Sequence, residues 1–300
     1  MTVGRFAPSP SGRMHLGNVF SALIAWLSVR TQGGKILLRV EDLDPDRSKQ
    51  IYIDALRRDL QWLGLDWEEE MPLQSTRTPV YERYFQKLPV YPCYCTRSEL
   101  HSASAPHSTD GNFLYAGTCR SLTPEQRAGQ TRKPAWRVEV PDVEICFTDG
   151  IYGMVKQRLR DSCGDFILRR SDGVYAYQLA VVCDDALGGV TQVVRGRDLL
   201  DSTPRQIWLY ETLGFSVPEF IHVPLLVAPD GRRLSKREAD LDLEHLRQFY
   251  SSEELIGILA YSCGLLPEFS PLRPEELIPY FSREKIRRED ISILEYLEHS

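Results

Sequence analysis

The sequence has no apolar run long enough to span a bilayer, which takes about 20 consecutive residues. The nearest candidate, residues 19–29, leads into Gln32-Gly33-Gly34 and not into the small-residue cleavage site of a secretory leader. That stretch is expected to be an amphipathic core helix, and the chain is expected to be cytoplasmic. Internal repeats and low-complexity tails are also missing, which sets aside a repeat array. There is no surplus of positive charge. The net charge of -6 argues against a protein that coats nucleic acid, while leaving room for a local basic face. The seven cysteines are odd in number, so a full disulfide framework is not expected. Four of them, Cys146, Cys163, Cys183 and Cys263, lie in apolar surroundings and are expected to be buried small hydrophobes.

What is present is ordinary globular sequence, 300 residues long, enough for a sizeable core in one large or two to three modest domains. A strand is expected over residues 3–7, then the loop Pro8-Ser9-Pro10-Ser11-Gly12, then a helix over about 15–30. A second strand over 35–40 leads through an acidic loop into a helix over 48–63. That helix carries Ile51, Ala55, Leu56, Leu60 and Leu63 on one face and stops at Gly64. Strand, helix, strand, helix at this pace indicates a parallel α/β sheet. From 89 to 173 the pattern changes to short strands, one over 136–140, and a hairpin turning at Asp172-Gly173 between 166–170 and 174–179. The α/β rhythm resumes with a strand over 190–194, a helix over 203–213 and a strand over 222–227. Beyond residue 240 the chain is expected to be helical, with Leu255, Ile258 and Leu259 on one face. The expected units are thus 1–88 and 174–239 as two halves of one α/β domain, 89–173 as an insertion, and 240–300 as a helical segment.

Two constellations carry chemistry. In Arg5-Phe6-Ala7-Pro8-Ser9-Pro10-Ser11-Gly12 and His15-Leu16-Gly17-Asn18, a strand ends in a Pro/Gly loop and a helix begins beneath it. Free backbone N–H groups and the positive end of the helix dipole then face one mouth, where a phosphate can sit. Ser9, Ser11, His15 and Asn18 add donors. In Gly231-Arg232-Arg233-Leu234-Ser235-Lys236-Arg237, a basic loop follows a strand. Such a run is ordinarily a solvated surface, but it can also clamp a polyphosphate, with Lys236 meeting charge that builds in the transition state.

Together and in this order, the two resemble the paired signatures of class I aminoacyl-tRNA synthetases, with Arg233 where that family commonly has Lys. Arg5 through Gly12, Arg39-Val40-Glu41-Asp42-Leu43-Asp44, Tyr175 through Ala180, and Val194-Arg195-Gly196-Arg197-Asp198-Leu199 narrow the resemblance to glutamyl-tRNA synthetases. The resemblance implies a Rossmann-like parallel-sheet catalytic domain that activates L-glutamate with ATP and Mg²⁺. Arg5 and Arg195 would take the two carboxylates, Arg195 by preference the side-chain one, with the two exchangeable. Glu41 would hold the ammonium, with Ser9 and Tyr177 completing the glutamate pocket. His15, Gly17, Asn18, Ser235 and Lys236 would bind ATP, with His15, Asn18 and Lys236 catalytic. No protein nucleophile is required, because the substrate carboxylate itself attacks the α-phosphate. For each arginine the competing expectation is a buried ion pair with an acid such as Glu41.

Cys93 and Cys95, followed by Cys119, are too tightly spaced for the usual zinc knuckle and supply only three ligands. Spacing offers His101 or His107 as the fourth. The resemblance instead implies Tyr115, in a structural Zn²⁺ site within an acceptor-stem-type insertion. Only about sixty residues follow Arg237, too few for the anticodon-reading domain of a full glutamyl-tRNA synthetase. The family implied is therefore the truncated one, which attaches glutamate to the queuosine base of tRNA(Asp). The alternatives are a minimal synthetase charging the tRNA 3′ end and a catalytically idle binding module.

Overall fold

The computed structural model describes residues 1–96, 114–228, 231–232 and 241–297. Strand β1 (Val3–Phe6) pairs in parallel with β2 (Lys35–Leu38), and β2 pairs in parallel with the short β3 (Glu69–Glu70). Helix α1 (Leu16–Arg30) connects the first two strands, and α2 (Gln50–Trp62) follows the second. Later in the chain, β9 (Gln192–Gly196) and β10 (Glu219–Val223) form another parallel pair. The two ladders meet where the Thr191 N–H donates to the Val3 carbonyl at 2.9 Å. The junction of β1 and β9 is a switch point, where chain connections diverge to either side of the sheet and leave a crevice beyond the strand ends.

Alternation along the strands sends side chains to two cores. Phe6, Ile36, Leu38, Val194, Ile221 and Val223 face α1, α2 and the helix Ser252–Ser262. Val3, Leu37, Val193 and Phe220 face the helices Tyr177–Leu187 and Thr203–Thr212. Arg5 and Arg195 share the parity of Val3 and Val193, so they lie on that second face.

Between these halves, β4 (Val90–Cys93), β5 (Ala135–Val138) and β8 (Ile167–Arg169) form an antiparallel sheet. β6 (Glu144–Asp149) and β7 (Gly153–Arg158) form a hairpin. The α/β frame and the antiparallel interlude agree with the sequence expectation. The hairpin does not stand apart, however, because the Gly150 N–H donates to the Phe220 carbonyl at 2.9 Å and ties it to β10.

Several expectations are corrected. Helix α1 is buried around most of its circumference and is not amphipathic, since every residue from Ala22 to Val29 is buried, with the sheet and the short helix Pro274–Leu277 packed against α1. In α2, Ile51 is 66% exposed, and Ile53, Leu56 and Leu60 form the buried face. Their spacing of three and four follows the helix repeat, which places Ile51 on the opposite side. Cys146 is exposed on the hairpin, whereas Cys183 and Cys263 are buried. After the turn at Gly173 (φ +95°) the second arm shrinks to a single bridge between Arg169 and Tyr175, and Tyr177 begins a helix. Among its described residues the C-terminal part has one helix of three turns, on which Leu255, Ile258 and Leu259 are buried as expected, and otherwise short turns. Among the described residues no helix is long and apolar enough to cross a membrane.

Candidate active site

A cleft of about 540 Å³ opens at the C-terminal ends of β1 and β9. Arg5, Ser9, His15, Gly17, Asn18, Glu41, Tyr177 and Arg195 all line it, so every described residue assigned from sequence to glutamate or ATP converges on one cavity. Ser235, Lys236 and the rest of the 233–237 loop lie outside the described residues, as do His101 and His107.

His15 is the N-cap of α1, in extended conformation, and its own N–H approaches Asn18 Oδ1 at 3.4 Å. Gly17 and Asn18 of the first helical turn line the cleft with it, at the helix end that favours an anion. Gly17 lies under the imidazole. A Cβ there would stand 3.2 Å from the His15 ring, so the missing side chain lets the histidine fold over the turn.

The acid and base groups form a buried network that sequence showed only in part. Arg39 is fully buried; its Nη1 donates to Asp185 and its Nη2 to Glu41 Oε1 at 3.0 Å. Burial acts to lower the Arg39 pKa, but Asp185 and Glu41 outweigh it and raise the value. Glu41 is thus held from behind by Arg39, and burial still pushes its carboxyl above the usual range. Arg5 Nη1 donates to the Val194 carbonyl at 3.0 Å, and its Nε stands 3.4 Å from Asp185. The ion pair weighed against a ligand role for Arg5 is therefore present in part, with Asp185 as partner and not Glu41.

Arg195 differs. Its Nε donates to His222 Nε2 at 3.0 Å, its Nη1 to Gln206 Oε1 at 2.8 Å and its Nη2 to Thr203 Oγ1 at 2.7 Å. All three acceptors are neutral as placed, and among the described residues no carboxylate lies within ion-pair distance of it. Burial accordingly lowers its pKa, an effect to which Arg5 adds. A buried guanidinium without an anionic partner, bordering a cleft, is arranged to meet an anion. Tyr177 stands at the start of its helix, where burial and the charge of Glu41 raise its phenol.

Sequence reasoning missed Asp185, Gln206, Thr203, His222 and Asp149. Asp185, Thr203 and Gln206 sit on helices and Asp149 in the hairpin, all far along the chain from Arg5. The parallel register places His222 directly opposite Arg195.

The Cys93, Cys95 and Cys119 sulfurs lie within 4.8 Å of one another. Tyr115 Oη is 3.5 Å from Cys93 Sγ and 3.9 Å from Cys95 Sγ, so a fourth donor sits in the same cluster. The Arg137 guanidinium stacks on the Tyr115 ring at 3.9 Å, and its Nε donates to Cys93 Sγ at 3.3 Å. Three soft thiols, with a phenol oxygen beside them, form a cluster that could hold a metal ion such as zinc.

Residues 1–256 match the family model described as tRNA synthetases class I (E and Q), catalytic domain. A glutamyl-Q tRNA(Asp) synthetase of Symbiobacterium thermophilum is 49% identical over 98% of this chain and 96% of its own length. Its namesake in Nitratidesulfovibrio vulgaris is 47% identical over 94% and 92%. Among solved structures, glutamate-tRNA synthetase from Elizabethkingia anophelis superposes with a TM-score of 0.82 at 27% identity, covering 97% of this chain and 67% of that one. Methionyl-tRNA synthetase from Mycobacterium tuberculosis, at 11% identity and a TM-score of 0.55, covers 86% of this chain and 64% of its own and shares the fold alone.

Proposed function

The chain belongs to the class I tRNA synthetases of the E and Q type, and within them to the glutamyl-Q tRNA(Asp) synthetases, and we propose on that basis that it activates L-glutamate with ATP and transfers the glutamyl group to the queuosine base of tRNA(Asp). The observation that carries the glutamate reading is Arg195, a buried guanidinium bordering the cleft with neutral partners on three nitrogens. It takes the substrate's side-chain carboxylate. Arg5, already engaged by Asp185 and the Val194 carbonyl, takes the remaining carboxylate more loosely. Glu41 receives the ammonium, with Tyr177 and Ser9 closing the pocket.

In the first step a glutamate α-carboxylate oxygen attacks the α-phosphate of ATP and pyrophosphate leaves, giving glutamyl-adenylate. The enzyme contributes position and charge. His15, Asn18 and the first N–H groups of α1 face the phosphates, the missing side chain of Gly17 keeps that approach open, and Ser235 and Lys236 belong to the loop that supplies the opposing cations. Mg²⁺ accompanying ATP supplies further neutralisation at the phosphates. In the second step a hydroxyl of the queuosine cyclopentene ring attacks the acyl carbon and AMP leaves. Cys93, Cys95, Cys119 and Tyr115 hold a structural zinc ion that braces the insertion toward the tRNA.

The test offers labelled glutamate and ATP with tRNA(Asp) bearing or lacking queuosine and, separately, with tRNA(Glu). Label on the queuosine-bearing tRNA alone is expected. Equal labelling of both would remove the modified base from the reading, and labelling of tRNA(Glu) alone would replace it with 3′-end charging.

A further inference from the structure

His222 lies directly opposite Arg195 in the parallel ladder, and the two side chains meet on one face of the sheet. Arginine Nε always carries hydrogen, so at 3.0 Å it donates and His222 Nε2 must offer its lone pair. The imidazole proton is thereby on Nδ1, which stands 2.6 Å from Asp149 Oδ2. Asp149 is itself fixed by the backbone N–H groups of Ile151 at 3.0 Å, Tyr152 at 2.9 Å and His222 at 3.1 Å. Both His222 and Asp149 are essentially without solvent contact.

We propose that His222 is a positioning residue for glutamate recognition: as a neutral acceptor oriented by Asp149, it aims the Arg195 guanidinium at the substrate carboxylate without cancelling its charge. The inference rests on the reading of Arg195 given above. A carboxylate in the place of His222 would pair with Arg195 and compete with the substrate. A protonated imidazole would lose the hydrogen bond and place two cations in contact. Glutamate binding, and preference for glutamate over glutamine, therefore require the neutral tautomer. The charged groups facing His222 are Asp149 from the hairpin, Arg195 from β9 and Asp198 from the turn after it; Thr203 and Gln206 are neutral. Burial and the charge of Arg195 hold the imidazole below its ordinary value, which keeps it neutral at physiological pH.

The experiment measures glutamate-, glutamine- and ATP-dependent pyrophosphate exchange on the full chain, with tRNA present throughout. His222→Ala is expected to raise the glutamate KM about tenfold or more, as for a lost hydrogen bond to a charged group. The ATP KM should stay within about twofold and the glutamate-to-glutamine preference should fall. His222→Gln, whose Oε1 can accept from Arg195, is expected to recover most of the loss. In the unsubstituted enzyme, kcat/KM for glutamate should fall on acidification, as pH drops from the ordinary histidine value of 6.5 toward the depressed one of His222, and His222→Gln should lack that step. An unchanged glutamate KM in folded His222→Ala overturns the inference, as does a parallel rise in the ATP KM. Should His222→Ala fail to fold, identical pH profiles for His222→Gln and the unsubstituted enzyme overturn it. If Arg195→Gln leaves the glutamate KM unchanged, the carboxylate assignment of Arg195 falls and this inference with it. If Arg195→Gln raises it and His222→Ala does not, only the positioning role falls.

Discussion

Arg39 Nη2 stands 3.0 Å from Glu41 Oε1 while the other arm of the same guanidinium holds Asp185. One fully buried cation thus neutralises two acids that border the site, and Arg5 approaches the same Asp185 from the cleft side. Replacing Arg39 with methionine would leave the buried Glu41 without its hydrogen-bonded cation and Asp185 with Arg5 alone. The expected cost is about 3–5 kcal/mol of stability, as for a buried ion pair broken from one side. Urea unfolding followed by fluorescence measures it, and a loss below about 1 kcal/mol would mean that the acids had other compensation.

Arg195→Lys separates charge from geometry. Lysine is a point charge and cannot reach His222, Gln206 and Thr203 together while facing a carboxylate. We expect kcat/KM for glutamate to fall on the order of 100-fold with the ATP KM nearly unchanged. Pyrophosphate exchange at varied glutamate and ATP reports both. An equal loss in the two would point to a collapsed cleft instead of a lost carboxylate contact.

Much of this site was legible in the sequence because its loops are local. The turn from β1 into α1 joins Arg5, Ser9, His15, Gly17 and Asn18 within fourteen residues, so strand, loop and cap could be placed from spacing. Glu41 follows the next strand in the same way. The network behind them was not legible. Asp185 reaches Arg39 and Arg5 from the end of a helix more than 140 residues away, and Asp149 comes from within the segment expected to be an insertion. Charged pairs of that sequence separation leave no periodic trace, since either partner alone resembles a surface acid. The misplacement of Ile51 has a different cause, because an apolar residue near a helix start is a weak guide to the buried face.

The thiol cluster makes a metal prediction. With Tyr115 Oη 3.5 Å from Cys93 Sγ and Cys95 Sγ 3.5 Å from Cys119 Sγ, the four donors converge. The chain is expected to carry zinc at about one ion per molecule, the stoichiometry of a single four-ligand structural site. Cys95→Ser should lose it. Tyr115→Phe, keeping three thiols, should retain zinc that a chromogenic chelator removes more easily, by about tenfold or more in competition. Elemental analysis and chelator titration decide. Zinc held equally tightly by Tyr115→Phe would exclude the phenol as a ligand.

Stability should fall on mild acidification, and the sign follows from two shifts. His222 is lowered from its ordinary 6.5, first by burial and then by Arg195, with the Asp149 contacts opposing. Its contribution is complete above that value and is lost as pH falls from it toward the depressed folded value. Asp149 is lowered from 3.8: burial raises it, but the hydrogen bonds from His222, Tyr152 and Ile151 outweigh burial. Its contribution is lost only as pH falls below 3.8. Between pH 7 and 5 the melting temperature should therefore decline, with a limiting slope of about 1.4 kcal/mol per pH unit from one group. His222→Gln should flatten that interval and leave the decline below pH 4 in place. A flat profile in the unsubstituted chain would show that His222 protonates without cost.

Gly17→Ala addresses the phosphate end of the cleft. The added Cβ would meet the His15 ring at 3.2 Å, tighter than ordinary contact, with the flexible imidazole the part able to yield. Alanine suits the first turn of α1 better than glycine does, so the fold should be unharmed or slightly firmer, by about 0.5–1 kcal/mol. Catalysis should respond in the opposite sense. Tilting His15 away from the N–H groups at the helix start misplaces a donor aimed at the phosphates, and a shift of about 1 Å in such a group can cost on the order of 100-fold. We expect kcat for adenylate formation to drop at least tenfold while the glutamate KM, set at Arg195 and Glu41, stays close to unchanged. Unaltered kcat in a folded Gly17→Ala chain would mean that the position of His15 over the turn is not what activation requires.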